Sequence, residues 1–394
     1  MAKSFFSSSF FLFLGNWIGI ITLNWYVFEQ FQNPIYLGWI NFARLVPILV
    51  LSVYAGKMCD VYSPSFLIKV SNSFSFILTF ILTLSVCLVD QLPIWAIIGY
   101  AGLRGCISAF ETPVRNAALP DMTNNGNKSK VVSYYSLVIN ICRSIGPAVA
   151  GILLGNGFVI LSFALQTFCY FFSFLLSLFI TIPAKGGLVA KKKVYAFKDV
   201  KEYFSMDHTG RELFKSSLIA MVFGFSYTTV LPVLTDFHFP GEAEMFGIAM
   251  TIAAMGAIVA TLTLPIVLNH VKEDFMCYVS LCFFSISILS VLIPIREILF
   301  LSLFSIGLFG QWTRSSNRIY FQNNVPDEKR GRILSVILLD RGLIPLGALL
   351  VSFLTSWIGI QLTFVVMGIG TFMSTINWKM FDKSKKKVTQ LVNR

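Results

Sequence analysis

Charged and polar side chains recur at helical spacing inside one apolar stretch of the sequence, residues 93–115. They follow the spacing i, i+4, i+7 and i+11, which places them on one face of a helix: Arg104, Ser108, Glu111 and Arg115. An arginine presents a planar fork of N–H donors that matches a carboxylate in a two-pronged contact. The stripe therefore predicts either recognition of an anionic ligand or ion pairs inside the protein.

The elements that hold this stripe are predicted to span a membrane. Of 394 residues, 56% are hydrophobic and 13% are charged, and the mean hydropathy is +0.74, whereas soluble domains carry roughly 25% charged residues. A helix needs about 20 apolar residues to cross the bilayer. Twelve such runs are found, at residues 5–28, 36–56, 66–89, 93–115, 131–154, 157–182, 213–235, 245–268, 275–294, 297–320, 332–354 and 357–379. They do not alternate as barrel strands do, so the fold class is an all-α polytopic membrane protein.

Other predicted spans carry polar stripes of the same kind. Span 297–320 leads into the set Gln311, Arg314, Arg318 and Gln322. Span 131–154 carries Ser133, Ser136, Asn140, Arg143 and Pro147, and span 332–354 carries Asp340 beside Arg341. A charge at the bilayer centre costs at least about 2.5–3.5 kcal/mol on insertion scales. These side chains should therefore face a bundle interior or an aqueous cavity.

Two roles are predicted for the embedded polar residues. Those expected to bind substrate are Arg104, Arg143, Arg314, Arg341, Asn140, Gln311, Asn16, Asn24, Trp25 and Tyr227. The two acids at suitable depth for proton coupling are Asp340, which is preferred, and Glu111.

Each of these predictions has a structural alternative. Glu111 could pair with Arg104 or Arg115 on its own helix, and its depth favours Arg115. Asp340 could form an ion pair with an arginine of another helix, either Arg143 or Arg314. The aromatic side chains could serve packing or anchor the helices at the membrane interface.

Loop charges predict the topology. Lys and Arg crowd one set of loops, and the alternate set holds only Arg296. By the positive-inside rule both termini are cytoplasmic, in a multi-pass protein of the cytoplasmic membrane. The net charge of +12 is then explained by basic loops near anionic lipid, without a nucleic-acid partner.

Motifs for chemistry are missing from the sequence. It contains no GxxxxGK[ST], HExxH, CxxC or nucleophile elbow, and its seven cysteines fit buried apolar positions. We therefore expect no enzyme activity, no direct use of ATP, no cofactor and no metal site.

The chain repeats itself. The segment "NAALPDMTNNGNKSKVVS" begins at Asn116, and "QNNVPDEKRGRILS" begins at Gln322. Both follow a predicted span at a cytoplasmic junction, as two homologous six-helix halves would produce. The expected division is a bundle at 1–182, a linker with an amphipathic helix at 183–212, a second bundle at 213–380 and a basic tail at 381–394.

Several motifs resemble the major facilitator superfamily. "GKMCDVYSPSFLIK" is similar to the family's loop between helices two and three and matches it at Gly56 and Asp60, although Val61 and residues 63–65 depart from it. "IGPAVAG" resembles the Gly-Pro motif of the exporter branch, and "VPDEKRGRILS" resembles the branch that includes the enterobactin exporter. The resemblance implies gate and motif residues at Gly56, Asp60, Asp121, Gly146, Pro147, Gly151, Asp327, Arg330, Gly331 and Arg332.

The resemblance and the embedded arginines together suggest a function. We expect a bacterial secondary transporter that works as a monomer and exports a small molecule by alternating access in exchange for protons. Because embedded arginines outnumber acids, the expected substrate is an anionic metal chelator, such as a staphylopine-like opine or a carboxylate siderophore. The alternatives are a multidrug efflux pump for lipophilic compounds and, from another class, a non-transporting sensor or scaffold.

Overall fold

A computed structural model describes residues 2–122, 128–182, 202–326, 333 and 337–392. Within these ranges the regular structure is helical and contains no strand. The first six helices are α1 (Ala2–Phe31), α2 (Pro34–Val61), α3 (Pro64–Leu88), α4 (Ile94–Ala118), α5 (Lys128–Gly155) and α6 (Val159–Leu178). The others are α7 (His208–Ile219), α8 (Tyr227–His238), α9 (Ala243–Leu268), α10 (Glu273–Ser290), α11 (Arg296–Asn324) and α12 (Ile344–Val392).

Local sequence explains where the helices begin. Asn33 caps α2 by accepting a hydrogen bond from the Ile35 N–H at 3.0 Å, and Pro34 follows at the first helical position. Ser63 and Pro64 start α3 in the same way. Short connections of this kind return the chain into the membrane after almost every span.

Nine of the described helical segments are long and apolar enough to cross a membrane. Helices α4 and α11 are as long but carry embedded charges, which lower their hydropathy. In α12 the backbone breaks at Gly359 (φ 80°, ψ 165°), so this one range holds two helical stretches. The all-α polytopic class is confirmed, and the exact number of twelve spans stays a prediction.

The chain divides into two compact units. Of the described residues, the first unit holds those up to Ile182 together with Thr229–Thr251, and the second holds Glu202–Thr228 and those from Ile252 onward. The predicted boundaries at 182 and 213 stay a prediction.

Glycines bring helices together in both units. In the first unit, a Cβ at Gly105 of α4 would collide with the backbone carbonyl of Arg44 in α2. In the second unit, a Cβ at Gly307 of α11 would collide with the backbone carbonyl of Ala253 in α9. Corresponding helix pairs of the two halves thus approach at a glycine, as the internal repeat predicts.

Candidate substrate-binding cavity

A polar cavity lies inside the first unit, among α1, α2, α4 and α6. Its volume is about 20 Å³, room for a water molecule in this conformation. Its polar lining consists of Asn16, Asn24, Asn41, Arg44, Tyr100, Arg104, Gln166 and Tyr170. Among the described residues, this lining contains two guanidinium groups and no carboxylate.

The two cavity arginines lie at the same depth. Arg44 is ten residues from the start of α2 at Pro34, and Arg104 is ten residues from the start of α4 at Ile94. At 1.5 Å per residue this is about 15 Å, near the middle of a 30 Å hydrocarbon layer. The two guanidinium groups are close enough to repel each other.

Arg104 is fully engaged by its neighbours. Its Nη1 and Nη2 lie 3.0 Å and 3.2 Å from the two carboxylate oxygens of Glu111. Nη1 also donates to the Ser108 hydroxyl at 2.7 Å, while Nε and Nη2 donate to the Tyr170 hydroxyl at 3.1 Å and 2.9 Å. Four hydrogen bonds and one further ion-pair contact thus engage all three nitrogens of the guanidinium.

Glu111 is as deeply buried as its partner, with 5% of its surface exposed. Besides Arg104 it accepts a hydrogen bond from the Ser75 hydroxyl at 2.9 Å. The sequence favoured Arg115 as its partner, and that preference is wrong. The (i, i+7) pair forms because the long Arg104 side chain spans two helical turns along the shared face.

Arg115 is held by neutral groups instead. It donates to the Ser9 hydroxyl at 2.7 Å, to the Asn72 side-chain oxygen at 3.1 Å and to the Ser8 hydroxyl at 3.3 Å. Its guanidinium also lies over the Phe5 ring, 5.8 Å from the centroid. With 1% exposure it forms part of the core.

A chain of hydrogen bonds between asparagine side chains fixes the position of the Arg44 guanidinium. Its Nη2 donates to Asn41 Oδ1 at 2.9 Å. Asn41 Nδ2 in turn donates to Asn24 Oδ1 at 2.8 Å and to the Leu37 carbonyl at 2.9 Å, and Asn24 Nδ2 donates to the Ile20 carbonyl at 2.6 Å. Among the described residues Arg44 has no carboxylate partner, so its charge is balanced by dipoles alone.

Small residues make room for these side chains. Gly15 and Gly19 on α1 form a GxxxG pair, and Cβ atoms there would meet Cys169 and the side chain of Gln166 on α6. The close contact seats Gln166 and Tyr170 against the cavity. Gln166 Oε1 is buried and has no hydrogen-bond partner within the described part of the chain.

Sequence comparison now decides the family. The family model described as "Transmembrane secretion effector" matches residues 3–392. The chain belongs to the major facilitator superfamily. The staphyloferrin A transporter of Staphylococcus aureus (strain NCTC 8325 / PS 47) is 47% identical over 386 residues, covering 98% of this chain and 97% of that protein. Macrolide efflux protein A of Streptococcus pyogenes is 22% identical and covers 75% of each chain.

Solved structures share the fold. A POT family transporter in complex with 5-aminolevulinic acid has a TM-score of 0.78 at 10% identity and covers 97% of this chain and 96% of its own. The nucleoside transporter NupG has a TM-score of 0.73 at 14% identity and covers 97% and 99%. The predictions that the chain is a multi-pass transporter with the facilitator fold, and that it is not an enzyme, are confirmed.

Sequence reasoning missed five of the eight polar residues that line this transporter's cavity. The unpredicted lining residues are Asn41, Arg44, Tyr100, Gln166 and Tyr170. Arg44 could have been found, because it is a lone arginine in the middle of predicted span 36–56. Asn41 precedes it at the i, i+3 spacing of one helix face. The others resemble ordinary membrane-helix residues and carry no such signal.

Other predicted residues of the first unit lie outside the cavity lining or at contacts between helices. Trp25 is 4% exposed and stacks on Phe246 at a centroid distance of 6.3 Å. A Cβ at Gly146 would lie 2.6 Å from Trp17 Cβ, and one at Gly151 would lie 2.6 Å from Gly247 Cα. Asn140 and Arg143 lie on α5, outside the cavity lining. Pro147 lies within α5 and Asp121 in the turn after α4.

Arg314, which the sequence predicted to bind substrate, lies in the second unit. Its guanidinium lies over the Phe225 ring, 4.5 Å from the centroid, and Phe225 stacks on Phe284 at 4.9 Å. Gln311 accepts a hydrogen bond from Arg314 at 3.1 Å. The predicted residue Tyr227 begins α8, two positions after Phe225.

Two helix irregularities lie side by side in the second unit. Ala220–Gly224 forms a π-helical turn after α7, and Leu338–Leu343 forms a 3₁₀ turn before α12. Asp340 lies in the 3₁₀ turn, is 6% exposed and accepts a hydrogen bond from the Ser217 hydroxyl at 2.5 Å. The described residues give it no arginine partner, so the predicted ion pair with Arg143 or Arg314 is not seen.

A carboxylate also organises the segment that precedes α7 in the second unit. Asp207 caps α7 and accepts hydrogen bonds from the hydroxyls of Tyr203, at 2.5 Å, and Tyr320, at 2.9 Å. Burial and the hydrogen bond to Asp207 raise the pKa of Tyr203 above its usual value. The short helix at residues 202–206 is thereby joined to α11, where the sequence predicted an amphipathic segment.

Some predicted residues lie outside the described part of the structure. These are Asp327, Arg330, Gly331 and Arg332, the surroundings of Gly56 and Asp60, and the side chain of Arg341. In the described residues no cluster of three or more His, Cys, Asp or Glu side chains could hold a metal ion.

Proposed function

We propose that the transporter exports an anionic, carboxylate-bearing metallophore of the siderophore type, with staphyloferrin A or a close analogue as the substrate. The observation that carries this proposal is the charge of the cavity lining: two guanidinium groups and no carboxylate. Glu111 lies behind the lining and neutralises one of them, so the cavity keeps one net positive charge. The 47% identity to the staphyloferrin A transporter supports the same substrate class.

Electrostatics favours an anion in such a cavity. An embedded cation without a counterion is costly in a medium of low dielectric, and a bound carboxylate offsets part of that cost. A lipophilic cation would add repulsion instead. The macrolide efflux relative, at 22% identity, keeps drug efflux as the second candidate.

The proposal includes the transport cycle. The two halves rock about the substrate, both termini face the cytoplasm, the transporter works as a monomer in the cytoplasmic membrane, and protons drive the exchange. We assign proton coupling to Asp340, because Glu111 is committed to Arg104 whereas Asp340 contacts a neutral hydroxyl. The predicted gate at Asp60 completes the proposal.

Export can be tested in cells grown under iron limitation. Staphyloferrin A is quantified by mass spectrometry in medium and cytosol, with and without the transporter, and ethidium efflux is measured in parallel. We expect the metallophore to disappear from the medium and accumulate inside the deletion strain while ethidium efflux is unchanged. Unchanged secretion with lost ethidium efflux would favour the drug pump.

A further inference from the structure

The two cavity arginines differ in what their neighbours leave free. Arg104 makes four hydrogen bonds and an ion pair, which engage all three of its guanidinium nitrogens on Glu111, Ser108 and Tyr170. Arg44 makes one hydrogen bond, to Asn41, so four of its five N–H groups have no partner among the described residues. Both guanidinium groups line the same cavity, but only that of Arg44 can take a ligand without breaking existing bonds.

We infer that Arg44 is the residue that contacts a carboxylate of the substrate, and that Arg104 is a positioning residue. This inference rests on the proposed function. Arg104 holds the Tyr170 hydroxyl by hydrogen bonds, and with Glu111 it forms a neutral ion pair in the cavity wall. Arg44 supplies the net charge and the two-pronged geometry that a carboxylate requires.

The surroundings of Arg44 hold it ready for a ligand. Asn41 Nδ2 donates to Asn24 and to the Leu37 carbonyl, so the amide oxygen of Asn41 must face Arg44. The backbone of Arg44 is held by Gly105, whose missing side chain lets α4 touch the Arg44 carbonyl. The guanidinium is therefore oriented by a neutral acceptor, and its charge is left for the ligand.

The identity of residue 41 offers a precise test. An aspartate there has nearly the same shape as asparagine, but its carboxylate would pair with Arg44 inside the protein. Asn41→Asp therefore neutralises the cavity without removing the arginine. If Arg44 binds the substrate carboxylate, Asn41→Asp and Arg44→Gln must weaken binding alike, although one variant keeps the arginine.

The experiment measures binding of staphyloferrin A to the purified full-length transporter by calorimetry, with melting temperature and membrane abundance recorded for every variant. We expect Arg44→Gln and Asn41→Asp to weaken binding at least tenfold, and Arg44→Lys to weaken it less. The double variant Arg104→Gln/Glu111→Gln removes the neutral pair that positions the cavity wall but keeps the charge of Arg44, so we expect it to weaken binding less than Arg44→Gln does. Matched controls are Asn156→Asp on an exposed helix end and Arg296→Gln at an exposed helix start.

The outcomes separate this inference from the proposed function. If the wild-type transporter neither binds nor exports staphyloferrin A, the proposed substrate is wrong. If it binds and Arg44→Gln and Asn41→Asp bind equally well, the role of Arg44 is refuted. If the Arg104/Glu111 double variant keeps its melting temperature but loses binding tenfold, Arg104 contacts the substrate and the division of roles is wrong. Should Arg44→Gln not reach the membrane, Asn41→Asp decides alone.

Discussion

Replacing one member of the Arg104–Glu111 pair should destabilise the transporter far more than replacing both. The pair is buried, with exposures of 4% and 5%, and both carboxylate oxygens contact the guanidinium at 3.0 Å and 3.2 Å. Removing one partner of a buried pair leaves an uncompensated charge and costs about 3–5 kcal/mol. We therefore expect Arg104→Gln and Glu111→Gln each to destabilise the transporter by about that amount.

The double variant should recover much of the loss. Because Arg104→Gln/Glu111→Gln leaves no unpaired charge at the site, we expect a coupling free energy of about 2–3 kcal/mol in a double-mutant cycle. The free energy of unfolding is measured by denaturant titration of the purified protein in mixed micelles. The matched control is the partly exposed pair Lys215–Glu212, at 2.8 Å, which should couple by less than about 1 kcal/mol.

Additive effects would refute this reasoning. If the two single substitutions sum to the double within about 0.5 kcal/mol, the carboxylate and the guanidinium do not stabilise each other. Arg104 would then not be held by Glu111 in the membrane. The assignment of the free cavity charge to Arg44 would lose its basis as well.

Three further predictions address other contacts. Gly105→Leu should lower membrane abundance and metallophore binding together, because its Cβ would displace the backbone of Arg44; Gly99→Leu, where no atom lies within 4 Å of the added Cβ, is the control for abundance by immunoblot. Asp207→Asn should lower the pKa of Tyr203 toward its usual value, read by ultraviolet titration, since the carboxylate helps to hold it up; an unchanged titration would contradict the contact. Asp340→Asn should abolish pH-driven exchange in vesicles and leave substrate affinity within twofold, and full exchange would exclude Asp340 as the coupling group.

The sequence predicted the helices well because each apolar run exceeds the length that the bilayer requires. It also predicted the polar stripe on α4, since side chains that share a helix face must meet the same environment. The sequence favoured the wrong partner for Glu111, because Arg104 and Arg115 both share its helix face and depth alone pointed to Arg115. What decides the pairing is Asn72, Ser8 and Ser9, which come from two other helices and satisfy Arg115.

The helix irregularities of the second unit had no signal in composition. Residues 220–224 and 338–343 are ordinary apolar segments apart from Asp340 and Arg341, and nothing in their hydropathy distinguishes π or 3₁₀ geometry. Their position is explained by tertiary contacts: a Cβ at Gly347 would meet the backbone of Val222 and the hydroxyl of Ser226. Non-helical backbone at membrane depth is tolerated where protein surrounds it, as here.

Charge balance in the first unit argues against Glu111 as the site of proton exchange. Arg44, Arg104 and Arg115 lie in this unit, and Glu111 is the carboxylate bound to one of them. Protonating Glu111 would leave its arginine unpaired and make the cavity more positive, which favours an anion rather than expelling it. Proton and anionic substrate would then bind together, the reverse of what the proposed exchange requires. The proposal therefore favours a carboxyl that is not paired with an arginine, and Asp340, which accepts a hydrogen bond from Ser217 in the second unit, is such a carboxyl among the described residues.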